Sequence, residues 1–167
     1  EQMVAWQQRD LEHYGVTFDR WFRESALHDS GAVRDTLKDL ESRDMVYRSN
    51  RPLEMSEAAQ GRAPESAGSG EATYLRTCRF GDDMDRVVLR SNGTPTYLLP
   101  DIAYHRDKHA RGAAIAINLW GPDHHAYVAT MKAGLAALGL PPGFLEVLIV
   151  QQVNLLSGGQ QVKMSKR

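Results

Sequence analysis

The chain has 167 residues, 42% of them hydrophobic and 25% charged, with a formal net charge of −1 at pH 7. These values exclude a globally disordered chain, and the length suits one ordinary domain or a piece of a larger one. The single cysteine, Cys78, rules out an intrachain disulfide and fits a reducing compartment, and no apolar run approaches the roughly 20 residues needed to cross a bilayer.

Residues 1–14 place Val4, Leu11 and Tyr14 on one face, and Gly15 stands where a helix would stop. The start lacks the charged-then-apolar layout of a signal peptide and lacks an initiator Met. Val16 and Phe18 alternate with polar residues in a short extended stretch. Asp29-Ser30 offers a cap, and Val33, Leu37 and Leu40 then follow the helical period. Residues 48–72 are dominated by Ala, Gly, Ser, Glu and Pro and keep no apolar period, which predicts a flexible loop or insertion. Strand-like runs follow at Thr73–Thr77 and Arg86–Arg90, and Asn92-Gly93 favours a hairpin turn. Thr96–Leu99 is a short apolar run. Pro100 is well placed to open a helix reaching about Ala110, because its missing N–H would be unpaired there, and Gly112 would end that helix. The last third is the clearest. An apolar run at Ala113–Trp120, a helix carrying Val128, Met131, Leu135 and Leu138 on one face, and a β-branched run at Leu145–Val150 predict a βαβ unit with a parallel sheet. No internal repeat is present.

In such sheets ligands sit outside the carboxyl ends of the strands. Two polar clusters lie there: Gly121-Pro122-Asp123-His124-His125, and Lys163-Met164-Ser165-Lys166-Arg167, reached through a Ser157-Gly158-Gly159 turn. Two lysines three apart beside a glycine turn are suited to gripping a polyphosphate and to stabilising charge on a leaving pyrophosphate. Charge alone describes a solvated basic tail equally well.

The string Lys163–Arg167 resembles the lysine-rich signature loop of class I aminoacyl-tRNA synthetases, usually Lys-Met-Ser-Lys-Ser, and the ending in Lys-Arg is common in the arginine members. Glu12–Trp21 with Glu24-Ser25, then Phe80–Val87, Arg90–His105 with Lys108 and Gly112, and the Gly-Pro-Asp-His-His block with Val153 are similar to successive blocks of arginyl-tRNA synthetases, in the correct order. The resemblance covers nearly the whole chain outside about 50–72. It implies an α/β fold, the second half of a doubly wound (Rossmann-like, HUP-type) nucleotide-binding domain. Residues 1–112 would be an inserted helical and β-hairpin region, and 113–167 the distal half of the nucleotide fold with the lysine loop. The implied activity is arginine–tRNA ligation, with arginine, ATP, Mg²⁺ accompanying the ATP, and an arginine-accepting tRNA as substrates and partners, in the cytoplasm and without a membrane.

Residue by residue, the resemblance implies that Lys163 and Lys166 act in catalysis and that Tyr97 and Asp101 read arginine. A carboxylate opposite a guanidinium can form two parallel charge-assisted hydrogen bonds. It further implies that Gly121, Asp123, His124, His125, Met164 and Ser165 contact ATP. Glycine permits close approach of the nucleotide, and a carboxylate can accept hydrogen bonds from ribose hydroxyls. Gln151 and Gln152 end the last strand at the same edge. The family often carries Thr-Arg before the aspartate, where this chain has Leu99-Pro100. The family's His-Ile-Gly-His signature has no equivalent here, and both ends read as cuts. A fragment inactive by itself is therefore expected.

Two other readings of the same residues are open. Asp123-His124-His125 is similar to the signature of a DHH-type, metal-dependent phosphoesterase, and His105 and His109 stand at helical i, i+4 spacing that could reach a metal. The plainer reading of His105 and His109 is a polar helix face. A non-catalytic module binding nucleotide or RNA could use Arg9, Arg20, Arg23, Arg34, Arg43 and Arg48, although these arginines are scattered. Cys78 reads as structural, and Trp6, Trp21 and Trp120 as core or interface aromatics.

Overall fold

The computed structural model of the protein describes residues 2–59, 70–151 and 153–162. The architecture is mixed α/β. In chain order it runs α1 (Gln2–His13), α2 (Ser25–Asp29), α3 (Ala32–Ser42), β1 (Val46–Ser49), β2 (Ala72–Leu75), β3 (Arg86–Leu89), α4 (Leu98–Ala110), β4 (Ala116–Trp120), α5 (Tyr127–Ala137), β5 (Leu145–Ile149), β6 (Leu155–Ser157) and β7 (Gln160–Val162).

The predicted βαβ unit forms as expected. β4 and β5 pair in parallel, Ala116 opposite Leu145 through Trp120 opposite Ile149, with α5 as the crossover. Of the predicted face, Met131 and Leu135 of α5 and Leu138 at its C-cap are buried, and Val128 is half-buried. The helix ends at Gly139, whose positive φ lets Leu140 N–H return to the Leu135 carbonyl. α4 ends the same way at Gly112, with Ala113 N–H donating to the Lys108 carbonyl. α4 and α5 cross closely at Gly134, where a Cβ would stand 2.6 Å from Ile102 Cδ1.

The other sheet is antiparallel, in the order β1-β2-β3. β1 was not predicted: its four residues precede Pro52 and carry no long alternation. Asn92-Gly93 does make a turn, but the hairpin amounts to one bridge between Leu89 and Pro95. Part of the stretch expected to be a loop is packed instead. Met55 bridges Met84, and Ala59 is fully buried. Residues 60–69 of that stretch lie outside the described residues.

Asp29-Ser30 does not cap α3. A five-residue helix, α2, occupies that place, the Ser30 hydroxyl turns back to the Leu27 carbonyl, and Gly31 is the N-cap. Val33 and Leu40 are buried as predicted, with Leu37 packed beside them. α4 begins at Leu98, so Pro100 falls within its first turn, where its missing N–H costs no intrahelical hydrogen bond. α1 matches its predicted span, yet none of its residues is buried.

The core lies between α3, α4 and α5 and the sheets. Leu40, Leu75, Val88, Leu99, Ile102 and Met131 are its most enclosed side chains. One face of the β4–β5 sheet is left open to solvent: Ile117, Leu119 and Leu148 are 57%, 68% and 51% exposed. Among the described residues no helix is long and apolar enough to cross a membrane.

α3 ends on Asp44 with φ of 55°, the one non-glycine residue of positive φ among those described. Its Cβ is crowded in that conformation, at a cost of about 1–2 kcal/mol, which glycine escapes while losing more entropy on folding. Asp44→Gly is expected to raise stability by about 1 kcal/mol in urea denaturation. A loss of stability would mean that the Asp44 side chain contributes more than its backbone costs.

Candidate functional site

A cavity of about 500 Å³ opens where the N-terminal turn of α4 meets β3, the Glu24 turn and the start of α5. Its walls include Glu24, Arg86, Tyr97, Asp101, His124 and Tyr127. Tyr97 and Asp101 face it together because they sit one helical turn apart at the head of α4. Tyr97 is 82% exposed and forms the mouth, whereas Asp101 lies deeper.

The Tyr127 hydroxyl donates to Asp101 Oδ2 at 3.2 Å. Burial pushes the Asp101 carboxyl above its usual range and the Glu24 charge adds to the rise, opposed by Tyr127, Lys108 and His124. Tyr127 is itself held far above an ordinary phenol, by burial first and then by the Asp101 charge. It therefore remains a hydrogen-bond donor throughout the neutral range. Two carboxylates facing one enclosed space repel each other, and a cation between them relieves that repulsion. The Tyr97 and Tyr127 rings in the walls suit a planar cation, and Trp120 sits at a tilt 5.6 Å from Tyr127.

The opposite wall is set by paired charges. Arg86 donates to both carboxylate oxygens of Asp82, each at 2.8 Å, and to Asp83. This holds Arg86 against the β3 side of the cavity. Below α4, His105 is almost fully buried and bonded to the Asp101 carbonyl and to Asn118. The expected polar face at 105 and 109 is thus corrected for His105: Asn118 of β4 supplies it with a partner inside the fold. His109 sets its ring edge-on to Phe144.

The second predicted cluster is only partly gathered at the cavity. His124 lines it, whereas Gly121, Asp123 and His125 do not. Asp123 is mostly exposed, with Oδ2 3.5 Å from His124 Nε2. Its Oδ1 folds back to within 2.5 Å of where a Cβ on Gly121 would stand, so the glycine leaves room for that carboxylate. Lys163, Met164, Ser165 and Lys166 lie outside the described residues, as does Gln152. Among the described residues no group of three or more His, Cys, Asp or Glu side chains is placed to hold a metal ion. The phosphoesterase reading therefore finds no donor set there.

No protein-family model matches the chain. The arginine–tRNA ligase of Geobacillus kaustophilus is 46% identical over 159 residues, which is 95% of this chain and 25% of the relative. That of Leptospira interrogans is 41% identical over 167 residues, covering 100% of this chain and again 25% of the relative. This chain is homologous to about a quarter of an arginine–tRNA ligase. A solved structure from Campylobacter jejuni, assigned as an arginyl-tRNA synthetase, agrees in fold, with a TM-score of 0.75 at 32% identity over 98% of this chain and 31% of that one. The chain thus spans about a quarter of the length of the curated ligases that it matches.

Against the ligase background, the residues that sequence reading missed are Glu24, Arg86 and Tyr127. They come from a turn before α2, from β3 and from α5, and only tertiary packing gathers them. For Glu24 a signal existed, since the Glu24-Ser25 pair belonged to one of the ligase-like blocks. Tyr127 had none, because it reads as a helix residue beside an apolar face.

Proposed function

We propose that this chain is the arginine-selecting segment of an arginine–tRNA ligase. In it, 1–112 form an inserted region and 113–167 the distal half of a doubly wound, HUP-type nucleotide fold. The observation that carries the reading is the half-buried Asp101 carboxylate, held by Tyr127 in a cavity that Glu24 also faces. Such a pair of carboxylates recognises a guanidinium by charge and by directed hydrogen bonds. The parallel β4–β5 pair with its uncovered aliphatic face supports the half-fold reading, since parallel sheets are covered on both faces.

In the parent reaction a carboxylate oxygen of arginine attacks the α-phosphorus of ATP, and pyrophosphate leaves. The terminal ribose hydroxyl of the tRNA then takes the arginyl group and AMP departs. The part of these residues is positioning and charge stabilisation. Asp101 and Glu24 take the guanidinium, Tyr97 covers the side chain, and Tyr127 keeps the Asp101 carboxylate aimed. Gly121, Asp123, His124 and His125 are candidates for the adenosine side, and Lys163, Met164, Ser165 and Lys166 for the phosphates. Mg²⁺ would arrive with ATP. The cytoplasm is the proposed site of action. The isolated chain is not expected to aminoacylate tRNA.

Titration calorimetry of the full chain with arginine and with citrulline, its neutral isostere, tests the cavity. Arginine is expected to bind more tightly by about 1.5–3 kcal/mol, the value of a charge-assisted hydrogen bond. Equal binding of the two, or binding of neither, would remove the guanidinium assignment.

A further inference from the structure

Glu24 reaches the cavity from a thinly anchored part of the fold. From Glu12 to Ala26 every residue is exposed except Phe22. Phe18 and Trp21 set their rings edge to face, 5.3 Å between centroids, but both are exposed, so that pair braces the stretch only within itself. Phe22 is different. Its ring stacks on that of Tyr104 with centroids 4.3 Å apart and planes 26° from parallel. The two rings pack onto the main core. Lys108 Nζ lies 4.4 Å from the centre of the Tyr104 ring, and the Arg20 guanidinium 5.4 Å from that of Phe22. Cations over aromatic faces add to the attraction that stacking supplies.

Both ends of this stack lead to the cavity. Tyr104 stands three residues after Asp101 on α4, so the two are neighbours on that helix. Phe22 stands two residues before Glu24. Glu24 is the N-cap residue of α2, yet its side chain makes no capping hydrogen bond, so the helix does not hold the carboxylate. α2 is five residues long and buries one side chain, Leu27. A single point of attachment lets so short a helix pivot. Phe22 supplies a second point, on the other side of Glu24.

The two carboxylates require such a tether. Like charges facing one enclosed space repel, and the Glu24 charge is felt at Asp101, whose carboxyl it helps to push upward. Glu24 is exposed, so without a tether it would relieve the repulsion by turning into water. We propose that Phe22 is a positioning residue for the arginine site: stacked on Tyr104, it holds Glu24 toward Asp101 before the substrate arrives, and so sets the preference for a guanidinium over a neutral group of the same shape. The stack bears the repulsion in the empty cavity, and the entering cation releases it, which is preorganisation. Phe22 is not among the cavity walls and acts through Glu24. This rests on the guanidinium reading proposed above.

Two readouts on the full chain test this, and the first needs no ligand. Carboxyl-resolved NMR follows the Asp101 pKa. Glu24→Gln is expected to lower it in the wild type, where the Glu24 charge raises it. The same substitution should leave it unmoved in a Phe22→Ala background and lower it again in Phe22→Tyr, which keeps the ring. The second readout is calorimetric titration with arginine and with citrulline. Phe22→Ala is expected to cut the preference for arginine about tenfold, near the lower end for a charge-assisted hydrogen bond, and Phe22→Tyr to preserve it. Glu24→Gln should add little to the loss in the Phe22→Ala background, whereas Asp101→Asn keeps its full effect there.

A residue that merely stabilised the fold would weaken both ligands alike and leave Glu24 coupled to Asp101 in Phe22→Ala; that result overturns the proposal. So does an Asp101 pKa that ignores Glu24 in the wild type. Should Phe22→Ala fail to fold, Phe22→Leu replaces it with the same expectations, because leucine fills the space but cannot lie flat on Tyr104. If neither arginine nor citrulline binds the wild type, the guanidinium reading fails, while the Asp101 titration still decides whether Phe22 holds the two carboxylates together.

Discussion

Asp101→Asn is expected to weaken arginine binding by about 2–3 kcal/mol, or about 30- to 150-fold, while raising the melting temperature of the chain at neutral pH. The two effects share one cause. Asn118 and His105 hold only the main-chain carbonyl of Asp101, so its carboxylate is free to face the cavity. That carboxylate is half-buried, and its desolvation holds its pKa above the ordinary value. A carboxyl whose folded pKa exceeds its unfolded one favours folding when protonated. That contribution is complete below the unfolded value and is lost as pH rises through the folded one. At pH 7 the charge therefore opposes folding. Asparagine removes the charge and still accepts the Tyr127 hydroxyl with its own oxygen. The stability gain should shrink as pH is lowered toward the range where Asp101 protonates anyway. Calorimetric melting and arginine titration on the same two proteins check both halves. A variant that binds arginine normally, or one that melts lower at pH 7, would contradict the assignment of Asp101.

Arg86→Leu is expected to cost about 3–5 kcal/mol, the largest stability loss foreseen for a single change. The Asp82 side chain is 2% exposed. Burial is the strongest influence on its pKa and pushes upward, yet Arg86, the Thr130 hydroxyl and the Asp83 N–H together hold the carboxyl below its usual range. A depressed carboxyl stabilises the fold above its unfolded pKa, and that support is lost as pH falls through the folded value. Leucine at 86 would strand the carboxylate, reverse the sign of its shift and move the greatest stability to lower pH. Urea denaturation at about pH 7 and about pH 4, near the ordinary carboxyl pKa, reads both changes. Adding Asp82→Leu should recover part of the loss, since a buried pair can be replaced by apolar groups. No recovery would mean that Arg86 matters through its other contacts.

The parts of the fold legible in the sequence were those with a long local period or a strong stop signal. Val33-Leu37-Leu40 and Met131-Leu135-Leu138 each repeat often enough to define a face, and both faces are buried. The β4–α5–β5 unit was legible because its elements are consecutive and its strands are rich in aliphatic residues. β1 and α2 are four and five residues long, too short for any period to declare itself. In the site, Tyr97 and Asp101 could be paired because a helix sets them one turn apart. Glu24, Arg86 and Tyr127 are distant from them in sequence and are brought to them by the fold alone. His105 shows the same limit from the other side. Its spacing from His109 suggested an open polar face, but a single asparagine, thirteen positions away in sequence, decides that it is buried.

The aliphatic face of the β4–β5 sheet has a meaning for descent. A strand whose outer side meets water gains nothing from isoleucine or leucine there, and random substitution would soon place lysine, threonine or glutamate at such positions. Ile117, Leu119 and Leu148 keep the opposite habit. Side chains of this kind belong to a strand pair built to be packed on both sides.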